Sequence, residues 1–548
     1  MVSGGWAGHM SYAEGACGPP RRGEPTNGAP GILLSGCKSG THYVMARAVL
    51  NTTASAERPY VSKSKFLWGA QCRKLLWYAY NAKDQIPEPD AATQAVFDQG
   101  HEVGELAKAL YPGGIEVSAD GTDFEQVLQQ SLEAAKARKP LFEAGFVHNG
   151  GFARVDILNP VGKDEWDIIE VKSSTEVKDV NLLDLAFQAF VYNGAGLSIR
   201  RCCLMHVNRD YVRRGPVDPK KFFKVVDVTK DVSCLSREIE PQLEDMFRAI
   251  RRRLEPDIQI GLHCSDPYPC PLQDKCWAFL PADSVFNLYY GGRKCWRLLQ
   301  DGVVNLKDIP DHVDLTDRQA IQRKVALTGQ PHIDRKALAS FLNRLRYPVS
   351  NLDFETFNTA IPLFDGLKPY QQVPFQFSLH RQPAPGAKPE HHEFLADGRG
   401  DPRSEFLNRL RDCIGDKGSI VVYNAKFETG VLDKLAEAFP KHAGWIGGVE
   451  ARIIDVLEPF QAFDYYHPDQ QGSASIKAVL PVLTGHSYTD LEIQEGGQAS
   501  LEYLRVHFGD VPEPVRRRVR NQLERYCGQD TEGMVWIVDA MRKLSAPL

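Results

Sequence analysis

A chain of 548 residues is long enough for about three domains at the usual ~150 residues each, and a make-up of 43% hydrophobic and 25% charged residues is that of an ordinary globular protein. No run approaches the ~18 consecutive apolar residues of a membrane helix, which argues against a membrane role. A net charge of −5 supplies no global attraction to phosphate, so nucleic-acid binding would have to come from local basic surface or bound metal.

Residues 1–58 are rich in Gly, Pro, Ser and Ala without periodicity, the composition of a disordered lead. The segment "PGILLSG" lacks the basic-then-apolar order of a secretory signal, so a cytoplasmic, reducing setting is expected. There the 12 cysteines serve as thiols or metal ligands rather than disulfides.

From "YVSKSKFLWGAQCRKLLWYAY" apolar residues recur at helical spacing, and "AVFDQGHEVGELAKALYPGG" predicts a second helix ended by Pro112, Gly113 and Gly114. A strand-rich segment (145–174), a helix (182–193), the strand "RCCLMHV" and a helix carrying "MFRAIRRRLEP" follow, an α/β alternation. Within it "GFARVDIL" and "WDIIEVKSS" flank the turn-rich "NPVGKDE" and are expected to pair as a hairpin that brings Asp156 beside Glu170. Alternate side chains of a strand share a face, so Glu170 and Lys172 project together. Two carboxylates at a sheet end do not both ionise cheaply without a cation, and a hard divalent ion such as Mg²⁺ relieves the repulsion and activates a water. On these residues alone, an exposed ion-paired hairpin is an equal reading. The next helix carries Gln188 and Tyr192 one turn apart on the same face, and Glu143 precedes the first strand.

Together Asp156, the "EVK" at Glu170 to Lys172, and Gln188-x-x-x-Tyr192 resemble the PD-(D/E)XK nucleases of the RecB type over about residues 60–280. The resemblance implies a restriction-endonuclease-like domain with Asp156 and Glu170 as metal ligands and Lys172 stabilising charge. The family adds a histidine four residues after a helix glycine; from Gly100 that position is Gly104, so Glu105 is expected as the substitute ligand, with His101 second.

Cys264, Cys270 and Cys276, spaced around two prolines, and Cys72 far upstream suit a four-thiolate site holding either an iron–sulfur cluster or zinc. Such a clasp would tie the first helix to the last segment of its domain. One cysteine before the nuclease core and three after it is similar to the iron–sulfur-bearing RecB-like nucleases, which implies [4Fe–4S], with zinc as second choice. Cys202, Cys203, Cys234 and Cys295 are expected to be ordinary buried thiols, and Cys17 and Cys37 lie outside the domain.

Residues 281–346 predict a helical linker; "CWRLLQDGVVNLKDIP" within it also suits a hairpin gripping a phosphate backbone. A new α/β pattern occupies 347–548. "SNLDFETF" puts Asp353 and Glu355 on one strand face, "IVVYNAKFETGVL" places Asn424 and Glu428 at a strand–helix junction, and "LERYCGQDTEGM" sets Tyr526 and Asp530 at i and i+4 of a helix. Asp455 is a candidate supporting acid or helix cap, and Lys477 a candidate phosphate contact or exposed lysine. Basic runs at 251–253 and 516–520 are expected to be solvated helix faces.

This set resembles the DEDD exonucleases of the RNase H-like fold, in the subtype with tyrosine four residues before the last aspartate. The resemblance implies Asp353, Glu355 and Asp530 as ligands of Mg²⁺ or Mn²⁺ and Tyr526 as orienter of the attacking water. Glu428 stands where the family has aspartate, which moves the carboxylate by about 1.5 Å. The two halves also occur joined in this order in a bacterial family, a match spanning about residues 60–545. The combined expectation is an α/β, metal-dependent nuclease acting on DNA through two sites, the second a 3′–5′ exonuclease. Its rivals are a catalytically decayed nucleic-acid-binding or scaffolding protein and a redox carrier, the latter lacking a flavin or nicotinamide fingerprint.

Overall fold

The computed structural model describes residues 59–117 and 124–546. The lead over 1–58, with Cys17 and Cys37, lies outside the described residues. The architecture is α/β, built on two mixed sheets, and no helix among the described residues is long and apolar enough to cross a membrane.

The first is a 7-stranded sheet of β1 (Val61–Ser62), β2 (Ile115–Glu116), β3 (Leu141–His148), β4 (Gly151–Val161), β5 (Glu165–Lys172), β6 (Ser198–Val207) and β7 (Phe223–Asp227). Its path runs β2-β3-β4-β5-β6-β7, with β1 pairing on β4. The β3–β4 turn is Asn149-Gly150, both with positive φ (47° and 79°), the combination that matches a two-residue hairpin to strand twist. β4 runs antiparallel to both β3 and β5, whereas β5 and β6 are parallel and are joined by helix Asp179–Gly194. A parallel pair needs such a crossover, and this helix is buried nearly all round, which is why it reads as apolar rather than amphipathic.

The remaining strands are β8 (His332–Ile333), β9 (Val349–Phe357), β10 (Val373–Gln382), β11 (Glu390–Leu395), β12 (Ile420–Val422), β13 (Ile453–Asp455) and β14 (Tyr465–Tyr466). Five of them form the second sheet in the order β11-β10-β9-β12-β13, antiparallel through β9 and parallel beyond it. Helix Glu513–Ser545 buries Val519, Leu523, Met534, Ile537 and Met541 in the core that includes Phe354, Phe375 and Phe377. Polar ties fix its register, from Gln376 Nε2 to the Leu523 carbonyl at 2.9 Å and between the Ser378 and Thr531 hydroxyls at 2.7 Å.

Between the sheets, residues 281–346 carry helices Arg293–Gln300, Asp317–Thr328 and Arg335–Leu342, and β8 pairs antiparallel with β14. This segment is therefore fastened to the second half. The two halves are also fastened to each other by the loop after β9. Ala360 is buried among Val103 and Phe142, Arg213 Nη1 donates to the Pro362 and Leu363 carbonyls at 2.6 and 2.8 Å, and the Tyr370 hydroxyl donates to the Ser173 carbonyl at 2.6 Å.

Candidate active sites

The first charged pocket lies where β3, β4 and β5 meet the crossover helix. The pairs Phe142↔Ile157 and Ala144↔Val155 set Glu143 opposite Asp156, and Asp156 Oδ2 accepts the Val171 N–H at 2.6 Å. Glu170 is buried, and its Oε1 accepts both Lys172 Nζ at 2.6 Å and Lys63 Nζ at 2.8 Å. Lys172 also reaches Asp184 Oδ2 at 3.0 Å, and Gln188 Nε2 bridges Glu170 Oε2 (2.8 Å) and Asp184 Oδ1 (2.9 Å). Burial pushes the Asp156 carboxyl up to about 7, helped by the neighbouring Glu170 charge. Burial pushes Glu170 the same way, but Lys172 and Lys63 outweigh it and hold that carboxyl well below the usual range.

Asp156, Glu170, Lys172 and Gln188 are thus brought together. Three expected members, Glu105, His101 and Tyr192, are not. Glu105 is exposed on helix Ala91–Lys108 and pairs with Lys108 Nζ at 2.6 Å, and His101 is exposed on the same helix. Glu143, inside β3 rather than before it, is the acid that faces Asp156. Tyr192 is fully buried, but its hydroxyl donates to the Ala144 carbonyl and accepts the Val155 N–H at 3.0 Å. It clamps β3 to β4 behind the pocket instead of reaching into it. Lys63, Glu143 and Asp184 complete the charge set. Lys63 begins helix Lys63–Gln71, and no local signal marks a lysine there as destined for a carboxylate over a hundred residues away.

The second pocket is an open cleft of about 560 Å³ lined by Asp353, Glu355, Glu428, Lys477, Tyr526 and Asp530, among others. β9 presents Asp353 and Glu355, helix Ala425–Ala438 presents Glu428, and helix Glu513–Ser545 presents Tyr526 and Asp530. Ligand atoms of Asp353, Glu355 and Cys527 all lie within 4.8 Å of one another. Cys527, whose Sγ sits 3.6 Å from Asp353 Oδ2, carries no sequence signal of its role, because a lone cysteine has no distinguishing spacing. Burial pushes the Asp353 and Glu355 carboxyls well up, reinforced by their acidic neighbours. Burial takes Asp530 to about 6 against the opposing pull of the Tyr488 hydroxyl bonded to it and of Lys477. Glu428 is buried, and its Oε2 has no hydrogen-bond partner among the described residues. A buried ionised oxygen without a partner is costly, and here several acids share one lysine.

Among the supporting residues, Asp455 takes the helix-cap alternative: its Oδ1 accepts the Asn424 N–H and its Oδ2 the Ala425 N–H, each at 2.9 Å, at the start of helix Ala425–Ala438. It thereby holds the left-handed Asn424 (φ 82°) from which the Glu428 helix starts. Lys477 is half-buried, its Nζ 5.4 Å from the Tyr526 ring centre and 5.8 Å from that of Tyr488. In the run 516–520, Arg516 and Arg520 are half-buried rather than fully solvated: Arg516 Nε donates to the Val506 carbonyl at 2.8 Å and Arg520 Nη1 to that of Ala396 at 2.6 Å.

The third constellation is a small cavity lined by Cys72, Cys264, Cys270 and Cys276 together with Ile258, Ile260 and Leu272. Gln71 Nε2 crosses to the His263 and Tyr268 carbonyls at 2.8 and 2.7 Å, and the Gly261 N–H donates to Cys264 Sγ at 3.5 Å. Four thiols around an apolar hollow, one already receiving an amide N–H, fit a thiophilic metal group. Cys202, Cys203 and Cys295 are buried as expected, whereas Cys234 is exposed.

A family model described as a domain of unknown function (DUF2779) matches residues 350–475, a span holding Asp353, Glu355, Glu428 and Asp455 but neither Tyr526 nor Asp530. A stretch of 229 residues is 25% identical to the uncharacterized protein MG366 homolog of Mycoplasma pneumoniae, covering 37% of this chain and 34% of that protein. The chain therefore spans about a third of the length of this curated relative. Neither description assigns an activity.

Proposed function

We propose that this chain is a metal-dependent nuclease that hydrolyses phosphodiester bonds of DNA, with its principal active site in the second cleft. The observation that carries the reading is the buried, unpartnered Glu428 Oε2 in a cleft that also gathers Asp353, Glu355 and Asp530. Acids from three elements drawn together at such cost imply a divalent cation as the missing counter-charge. The strand order β11-β10-β9-β12-β13, antiparallel then parallel, supports an RNase H-like fold for this half. The β3-β4-β5-β6 run with its crossover helix supports a restriction-endonuclease-like core for the first half.

Asp353, Glu355 and Asp530 would hold Mg²⁺ or Mn²⁺, with Glu428 completing the set. Bound ions of this kind lower the pKa of a coordinated water and offset charge on a phosphodiester under attack. The chain's own groups do the rest. Burial, with Asp530 and Glu355 close by, keeps the Tyr526 hydroxyl protonated, so it can orient a water by hydrogen bonding. Tyr488 fixes the Asp530 carboxylate by donating to Oδ1. Lys477 supplies positive charge at the cleft wall, where a phosphate would lie. The four cysteines would hold an iron–sulfur cluster, or zinc, as a structural clasp between Cys72 and the 264–276 segment. DNA as substrate and a cytoplasmic location belong to the same reading.

The first pocket supports a second reading for that half, a catalytically silent nucleic-acid-binding or scaffolding role, because Lys63 and Lys172 already neutralise Glu170. Asp353→Asn and Asp156→Asn, singly and together, assayed on labelled single- and double-stranded DNA with Mg²⁺ or Mn²⁺, test both sites. Asp353→Asn is expected to abolish exonucleolytic release of nucleotides. Retained release would remove the second cleft from the proposal, and an unaltered Asp156→Asn would leave the first pocket silent.

A further inference from the structure

The segment joining the two halves does more than connect them. It sends Tyr289 and Tyr290 into the wall of the cleft that Asp353, Glu355, Lys477, Tyr526 and Asp530 line. Tyr290 is 72% exposed, unusual for a large aromatic ring. Its φ of 47° lies in the left-handed region, which a bulky side chain adopts only where the surroundings impose it.

The imposing structure is a polar pedestal. Gln322 Oε1 accepts the Tyr289 N–H at 2.6 Å, Gln319 Nε2 donates to the Tyr289 carbonyl at 2.8 Å, and Gln322 Nε2 donates to the Asn287 carbonyl at 2.9 Å. Both glutamines are buried on helix Asp317–Thr328. The Tyr289 ring packs 4.9 Å from Phe463 and stands edge-on to Tyr290 at 4.5 Å and 86°. From the other side the chain closes in at Gly472, where a Cβ would lie 2.0 Å from the Asn287 carbonyl oxygen. Tyr289 is thus the half-buried root and Tyr290 the exposed blade of a fixed aromatic wall.

We infer that Tyr290 is a base-stacking platform that makes the second cleft selective for a single-stranded nucleic-acid end. This rests on the nuclease reading above. An unpaired base offers a free π-face to such a ring, whereas bases within a duplex are already stacked on one another. The placement suits a chain whose phosphate approaches the acids and Lys477 while a nearby base covers Tyr290. The rigid pedestal keeps the entropic cost of ordering the ring small.

The test uses the full-length protein with its metal complement and a labelled oligothymidylate in Ca²⁺, set against oligonucleotides carrying one abasic position at successive distances from the 3′ end. The wild type is expected to lose between about 5- and about 150-fold in affinity at one abasic position. Tyr290→Ala is expected to bind the intact strand that much more weakly and to lose discrimination there, while Tyr290→Trp restores it. Equal wild-type binding of intact and abasic strands, or discrimination that survives Tyr290→Ala, would overturn the platform. Asp353→Asn separates this from the parent reading. Lost hydrolysis with retained discrimination supports both, and retained hydrolysis removes the nuclease assignment of the cleft while leaving the stacking result to stand by itself.

Discussion

Lys63 donates to Glu170 at 2.8 Å across 107 residues of sequence, a part-buried ion pair between the first helix of the fold and its central strand. Burial alone would lower the Lys63 pKa, yet the Asp184, Glu170 and Asp156 charges raise it above the ordinary lysine value. The lysine thus occupies part of the role that a divalent ion would have there. Lys63→Met keeps the stem and removes the charge, leaving Glu170 with Lys172 alone. The metal-free variant is expected to be less stable by about 2 kcal/mol, read by calorimetry as a melting temperature lower by several degrees. Mn²⁺ should recover more of this loss in the variant than it adds to the wild type, because the vacated side of Glu170 becomes available. Equal Mn²⁺ effects on both proteins would show that Lys63 and a cation do not compete.

The second cleft should reveal itself through pH. The Asp530 carboxyl stands at about 6 in the folded protein against 3.8 as its ordinary value, so the folded state holds that proton more tightly than the unfolded one. The stability this lends is fully present below pH 4 and is lost as pH rises through 6. The loss is on the order of 3 kcal/mol by the usual conversion of about 1.4 kcal/mol per pH unit. Asp530→Asn mimics the protonated acid. In metal-free protein its melting temperature should gain on the wild type as pH rises from 4 to 7, whereas Mg²⁺ should raise the wild type and not the variant. A constant difference across that range would mean that Asp530 titrates normally.

Much of this cleft was legible in sequence because its acids come in local phrases whose geometry is set by short-range periodicity. "DFET" puts Asp353 and Glu355 on one strand face, and "YCGQD" puts Tyr526 and Asp530 one helical turn apart. Residues whose role comes from distant packing were not legible. Lys63 meets Glu170 only once the first helix lies over the sheet, and Tyr488 reaches Asp530 from an irregular segment. Tyr192 shows the opposite failure. Its one-turn spacing from Gln188 suggests a shared site, but side chains one turn apart differ in height along the helix, and this hydroxyl falls at the level of the strand backbones. Glu105 failed because register counted from a glycine says nothing of which face the helix turns inward.

The cysteine clasp predicts a coupled loss. Cys264→Ser should abolish the broad visible absorption of an anaerobically purified iron–sulfur protein, or the stoichiometric zinc if that metal is resident. It should also free the 256–280 segment, whose regular structure consists of single short turns at Leu262–Cys264 and Gln273–Trp277. Limited proteolysis should then cut there first, while Cys234→Ser, at an exposed thiol, leaves the cleavage pattern and metal content as they were. Equal proteolysis of wild type and Cys264→Ser would show that Gln71 and the apolar lining hold the segment without metal.

Tyr192 offers the sharpest test of positioning in the first half. Its hydroxyl accepts the Val155 N–H at 3.0 Å and donates to the Ala144 carbonyl, joining the strand that bears Asp156 to the strand that bears Glu143. Tyr192→Phe removes one oxygen from a fully buried position and strands the Val155 N–H. A buried donor left without a partner costs about 1–3 kcal/mol, so denaturant titration should show a lower midpoint with an unchanged slope. Since Asp156 follows Val155 directly, any metal affinity of the first pocket should weaken as its two acids lose their fixed separation, although the hydroxyl itself touches neither. A variant with lowered stability and unaltered Mn²⁺ affinity would make Tyr192 a structural clamp only; one with unaltered stability would contradict the buried hydrogen bonds themselves.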